Sequence, residues 1–319
     1  MLDQRYPDAG IHSIDHFALF VPSLDQAEHF YTAFGLSVER GAGEIQLRAG
    51  DGHRWGRLIE SDHKSMAYLS FLCFAQDLAA IEQQVRAAGG RFDVPDPLKT
   101  REGFWFHDPD GNLVQVKAGE RTMPQFKSSF YVRQVGADMR GSHPRSEGRP
   151  VRPRRLSHVL LFTADVPRLQ GFYADAIGLR LSDKSLDIIA FTHAPHGCDH
   201  HLVAFAKSSG KGWHHSSWDV GCLDEVGRGA AQMNAAGYKH GWGTGRHVLG
   251  SNYFFYVKDP WGSFCEYSAD IDYVSEGQPW QAGEYPPEDS LYLWGPDVPP
   301  DFIYNTEVAA QGEFEPQHA

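Results

Sequence analysis

The sequence predicts an α+β fold: four βαβββ modules, paired into two domains that are each a cupped mixed β-sheet barrel, with a C-terminal tail. Three observations predict it. The two halves of the 319-residue chain open on related runs, Ser13-Ile-Asp-His16-Phe-Ala-Leu-Phe20 and Arg155-Leu-Ser-His158-Val-Leu-Leu-Phe162. Both close on an Asp-Pro-x-Gly turn between alternating apolar runs, which is hairpin chemistry. Between these ends, each half carries a second strand-and-helix pattern finishing in Ala-Ala-Gly.

Each opening run has β-type composition and leads into a helical pattern that ends in Gly-Leu. Leu24, Ala27 and Tyr31 mark the first helix, and Leu169, Phe172, Tyr173 and Ile177 mark its counterpart. A Phe-Tyr pair falls fourteen residues after the histidine in both halves (Phe30-Tyr31, Phe172-Tyr173). The second units run from Ala67 to Phe74 and from His214 to Val220, followed by Leu78, Ile81 and Val85 or Leu223, Val226, Ala230 and Met233. The closing hairpins turn at Asp108-Pro-Asp-Gly111 and Asp259-Pro-Trp-Gly262.

These repeats divide the chain into residues 1–138, a linker at 139–155, residues 156–275 and a tail at 276–319. The stretch Met139 to Arg155 has six Arg, three Pro and two Gly, which is linker composition. Its arginines lack the interleaved aromatics of a nucleic-acid surface. From Tyr273 to Ala319 there are nine acids and no Lys or Arg, yet Trp280, Tyr285, Leu291, Trp294 and Phe302 suit a tail docked on the body. A net charge of −12 argues against nucleic acid and anionic membranes as partners. No apolar run approaches the ~20 residues that span a bilayer, and Met1 to Gly10 lacks an apolar signal region. Four cysteines without CxxC spacing form no disulfide framework. A cytoplasmic protein is expected.

Seventeen histidines need a positional explanation. Aligning the halves sets His158 against His16, His215 against Tyr68 and Glu266 against Gln115. Two imidazoles and a carboxylate on one face suit a divalent transition metal with positions left open, whereas Tyr and Gln are poor ligands. The second half is therefore expected to hold a metal and the first to hold none. His214 is expected to sit behind the ligand or face solvent, since strand neighbours point to opposite faces. The cluster His193, His196, His200 and His201 lies around a Pro/Gly-interrupted loop without firm ligand geometry.

The second half resembles the catalytic domain of type I extradiol catechol dioxygenases of the vicinal oxygen chelate superfamily, and the resemblance spans about residues 10–275. Its motifs are Ser157-His158, Trp213-His214-His215, and Gly245-Arg246-His247 followed by Asn252, Tyr256, Asp259-Pro-x-Gly262 and Glu266. The resemblance implies ring cleavage of a small aromatic diol by O2, with Fe(II), or Mn(II), held by His158, His215 and Glu266. It implies His201 as the acid–base group, His247 as a donor beside the metal, and Tyr256 as both a catalytic and a substrate-contacting residue. It also implies a homo-oligomer. Histidine suits proton transfer near neutral pH, and a second donor stabilises charge that develops on oxygen. Trp242 and Arg246 are expected to contact substrate. With Trp242 where carboxylate-cleaving members tend to place an Arg, and no cation after residue 272, a neutral catechol is expected over an acidic one. Rival readings on the same scaffold are a trihydroxylated-ring dioxygenase, a glyoxalase-type isomerase and a non-catalytic aromatic-binding module; the last predicts a damaged ligand set in both halves.

Overall fold

The computed structural model describes residues 6–92, 97–132 and 134–310; the first five residues and the tail beyond 310 lie outside it. The first half forms β1 (Ser13–Val21), α1 (Leu24–Phe34), β2 (Ser37–Arg40), β3 (Glu44–Arg48), β4 (Arg54–Glu60), β5 (Ser65–Cys73), α2 (Leu78–Ala87), β6 (Phe104–His107) and β7 (Leu113–Ala118). The second half repeats the plan with β8 (Arg155–Thr163), α3 (Val166–Ile177), β9 (Arg180–Ser185), β10 (Ile189–His193), β11 (Cys198–Asp199), β12 (Val203–Lys207), β13 (Gly212–Asp219), α4 (Leu223–Ala235), β14 (Gly241–His247), β15 (Tyr253–Lys258) and β16 (Phe264–Ala269). The tail adds β17 (Tyr273–Val274), β18 (Gly283–Glu284), β19 (Tyr292–Trp294) and α5 (Thr306–Ala310).

The fold is α+β, with one open, cupped, mixed sheet in each half. The first sheet runs β2-β3-β4-β1-β5-β7-β6 and the second β18-β9-β10-β12-β8-β13-β16-β15-β14-β19. In both, the opening strands of the two modules pair antiparallel at the centre, and parallel partners flank them. The second module is the irregular one. Directly after α2, the pairing among the described residues is a bridge between Arg91 and His107.

Helices start and stop where local chemistry dictates. Ser23 and Asp165 accept from the amides of Gln26 and Arg168 at the N-termini of α1 and α3. Gly35 and Gly178 end these helices with φ of 100° and 77°. A Cβ on Gly35 would also stand 2.1 Å from the carbonyl oxygen of Val151, so this turn admits only glycine.

The helices pack between the halves, α1 against α4 and α2 against α3. Phe34 stacks on Tyr267 with centroids 4.0 Å apart, and the Tyr267 hydroxyl donates to the Phe34 carbonyl. This apolar seam leaves the concave face of each sheet open for other use.

The expected linker ends earlier than its composition indicates. Arg155 opens β8, with its guanidinium buried against Asp199, and Arg154 pairs with Asp219. The amides of Gly50 and Asp51 bond the carbonyls of Pro153 and Arg154. These arginines are anchored by buried carboxylates that lie far away in sequence. The tail is docked: β18 and β19 pair with the two edges of the second sheet. Among the described residues, no helix is long and apolar enough to cross a membrane.

Candidate metal centre and active site

Strand register brings the expected ligands together. Ser217 on β13 lies opposite both His158 on β8 and Glu266 on β16, so all three strands aim side chains into one cup. His158, His215 and Glu266 are buried, and their ligand atoms lie within 4.8 Å of one another. Nε2 of His158 is 3.3 Å, and Nε2 of His215 3.9 Å, from Glu266 Oε2. His215 Nε2 and Glu266 Oε2 have no hydrogen-bond partner among the described residues. Two orphaned, buried atoms, one of them an imidazole nitrogen, beside the second imidazole nitrogen, that of His158, fit a divalent transition metal of Fe(II) or Mn(II) type.

The first sheet supplies a control. Ser70 lies opposite His16 and Gln115, so His16, Tyr68 and Gln115 occupy the same three places. There His16 Nε2 is bonded to the Tyr68 hydroxyl at 2.8 Å, and Gln115 accepts from Ser70 and donates to the Glu102 carbonyl. Each polar atom that would face an ion has a protein partner. Among the described residues, His158, His215 and Glu266 are the one cluster able to hold a metal.

Burial raises the Glu266 carboxyl, but His158 and then His247 outweigh it and hold the group well below the usual carboxylate range. Asn252 Nδ2 donates to Glu266 Oε1 at 3.0 Å and leaves Oε2 for the ion. Burial also pushes His215 and His201 well below their ordinary values, and neighbouring histidines add to the effect. Both are therefore neutral imidazoles. The Tyr256 phenol is raised well above its ordinary value by burial and by Glu266, so it stays a proton donor.

His201, His247 and Tyr256 line a cavity of about 190 Å³ together with His158 and His215, and Glu266 is buried beside these two histidines. The His201 ring lies 3.9 Å from that of His158, centroid to centroid. Tyr256 faces Glu266 across the β15–β16 ladder, and its hydroxyl is 3.0 Å from His247 Nε2. The other ring nitrogen of His247 donates to the Leu291 carbonyl at 2.6 Å.

Two residues expected at the substrate lie outside the cavity lining. Trp242 stacks behind Tyr256 and donates its indole N–H to the Pro296 carbonyl, outside the cavity lining. Arg246 neighbours His247 on the strand and therefore points the other way, donating to the Ser251 carbonyl and the Tyr253 hydroxyl.

His214 stands behind His215, one of the two places expected for it, though not by strict strand alternation. A bulge between Trp213 and His215 turns its ring inward, where it is buried and lines the cavity. Nε2 of His214 donates to the Phe302 carbonyl at 2.7 Å, so its Nδ1 accepts from His215 Nδ1 at 2.6 Å. That bond leaves His215 Nε2 bare for a metal. His200 stands behind His201 in a similar way, 3.1 Å between Nδ1 atoms. The sequence did carry a signal for these partners: the doublets His200-His201 and His214-His215 recur fourteen residues apart.

A glyoxalase/bleomycin resistance protein/dioxygenase superfamily model matches residues 13–116 and 155–267. The chain is also 59% identical over 303 residues to metapyrocatechase 2 of Cupriavidus necator, covering 95% of this chain and 94% of that one. The chain belongs to this superfamily, on its extradiol catechol dioxygenase branch. An iron-dependent extradiol dioxygenase of Rhodococcus jostii RHA1 is 28% identical over 70% of this chain and 74% of its own. The fold matches the crystal structure of homoprotocatechuate 2,3-dioxygenase from Arthrobacter globiformis with a TM-score of 0.74, at 19% identity over 95% of this chain and 93% of that one.

Proposed function

We propose that this dioxygenase cleaves a neutral catechol beside its hydroxyl pair, inserting both atoms of O2, with Fe(II), or Mn(II), held by His158, His215 and Glu266. The observation that carries the reading is the pair of orphaned atoms, His215 Nε2 and Glu266 Oε2, the first on a histidine that lines a cavity with His201, His247 and Tyr256 and the second buried within 4.8 Å of it. When bound, the metal supplies open coordination positions at which a diol and O2 meet and exchange electrons.

The protein's own groups do the rest. His201, neutral and beside the ligand His158, takes a proton from a substrate hydroxyl and later returns it. Tyr256 and His247 orient the reacting oxygens and stabilise charge that develops on them. Leu160, Ile189, Phe191, Leu249, Leu291 and Phe302 form an apolar wall that excludes water and accepts a hydrocarbon substituent. The one lysine or arginine lining the cavity, Lys207, is exposed and paired with Asp187. Among the described residues no arginine or lysine waits inside for a substrate carboxylate, which supports a neutral ring.

In this reading residues 1–138 form a domain without metal, 156–275 the catalytic domain, and the tail from 276 its roof. Exposed apolar side chains at Phe126, Tyr131, Val132 and Met139 support a homo-oligomer. Four free cysteines support a reducing, cytoplasmic setting. Anaerobic loading with Fe(II), then aerobic assay across substituted catechols for yellow ring-fission products, tests the activity. Failure of every catechol with metal-replete protein would overturn it.

A further inference from the structure

We propose that Asp183 and His200 are positioning residues that hold His201 with its proton on Nδ1 and its Nε2 bare, the form that can accept a substrate proton. The inference rests on His201 as the proton carrier. Asp183 lies on β9 and His200 just after β11, both buried and away from the three ligands.

The hydrogen bonds run in one direction. The Gly283 amide, in β18 of the tail, donates to Asp183 Oδ1 at 2.7 Å. That leaves Asp183 Oδ2 to accept from His200 Nε2, also at 2.7 Å. With its proton on Nε2, donated to Asp183, His200 presents a bare Nδ1. His201 Nδ1 stands 3.1 Å from it and donates. With that nitrogen protonated, Nε2 of His201 keeps its lone pair. The opposite tautomer would set two lone pairs against each other across 3.1 Å of buried space.

His200 cannot turn away. Its amide donates to the Asp272 carbonyl, its carbonyl accepts from the Ser182 hydroxyl, and its ring packs edge-on against Trp280, centroids 5.3 Å apart. A carboxylate that fixes the tautomer of a histidine is a recurrent catalytic device. Here it acts through one further imidazole.

Asp183→Asn tests the direction of the chain while keeping its shape. The Gly283 amide pins Oδ1, so the new amide nitrogen faces His200 Nε2. His200 must then carry its proton on Nδ1 and donate to His201, which moves the His201 proton to Nε2. In the iron-loaded enzyme we expect kcat to fall ~10–100-fold, with KM for catechol, metal content and Tm held near wild type. His200→Phe should cost as much. His200→Asn, whose carbonyl can accept from His201 Nδ1, should recover kcat to within about threefold of wild type. Nitrogen-15 NMR of the Zn(II)-loaded protein reads the tautomer directly: bare Nε2 on His201 in the wild type, protonated Nε2 in Asp183→Asn. A protonated Nε2 in the wild type, an unchanged tautomer in Asp183→Asn, or kcat within twofold in both Asp183→Asn and His200→Phe overturns the proposal. His201→Phe separates the two levels. If it lowers kcat ~10²–10⁴-fold while Asp183→Asn does nothing, the relay fails and the carrier stands. If His201→Phe leaves kcat intact, both fall.

Discussion

Glu266 Oε2 stands 3.3 Å from His158 Nε2 without a hydrogen-bond donor of its own, whereas Gln115, at the same place in the first sheet, accepts from Ser70. Glu266 for Gln115 and His215 for Tyr68 thus separate a set with orphaned polar atoms from one whose polar atoms are satisfied. Glu266→Gln should abolish metal retention and ring cleavage. Elemental analysis after gel filtration checks this; a variant that keeps a full equivalent of metal refutes the ligand assignment. Anomalous diffraction should place no ion at His16.

Substrate choice follows from the wall. A carboxylate carried into an apolar cavity without a cation loses several kcal/mol of solvation. The kcat/KM for 3- or 4-methylcatechol should therefore exceed that for homoprotocatechuate by ~10²-fold or more. A preference for the acid under matched oxygen would show that the neutral-substrate reading is wrong.

Lys64, from the first half, is buried against Glu307 of the tail at 2.7 Å and also donates to Ser263 and the Trp213 carbonyl. Removing one member of such a pair leaves an uncompensated charge, at about 3–5 kcal/mol. Glu307→Ala should lower the free energy of unfolding, read from urea titration, by that amount and open the tail to proteolysis. Lys64→Met combined with Glu307→Leu should restore most of the loss. Additive destabilisation by the two changes would contradict a coupled pair.

His193 is pushed down to about 3, chiefly by burial and then by His200 and Arg180. Its ring is neutral in the fold, while the unfolded chain takes a proton near the ordinary 6.5. Between those values the unfolded state binds more protons, so stability is full above pH 6.5 and falls as pH drops toward 3. Each unit of pH in that window costs up to about 1.4 kcal/mol for this group. Urea titrations at pH 7.5 and 5 should show His193→Gln losing less stability on acidification than the wild type. Equal losses would remove His193 as a source of acid sensitivity.

Much of this was readable because the chain repeats. Register that pairs Ser217 with Glu266 and Ser70 with Gln115 is the alignment the sequence alone supports, and the α+β plan follows from the same repeats. Legibility stopped where local backbone departs from strict alternation or where the partner is not a side chain. A bulge turns His214 inward, against the period-two rule. Trp242 and Arg246 flank the right strand, but their directions depend on the Pro296 and Ser251 carbonyls, and a carbonyl carries no residue signature. Arg154 and Arg155 read as linker until Asp219 and Asp199 are seen beside them.

The tail has a consequence in time. A ribosome completes His158, His215 and Glu266 before it reaches Gly283, Leu291 and Phe302. Yet it is the backbone of those last three that steadies Asp183, His247 and His214. The nascent chain therefore owns its candidate ligand atoms well before it owns the backbone groups that fix Asp183, His247 and, through His214, His215. A polypeptide ending near residue 275 would carry all three candidate ligands without the tail groups that fix their neighbours, so the timing of synthesis separates holding the side chains from orienting them.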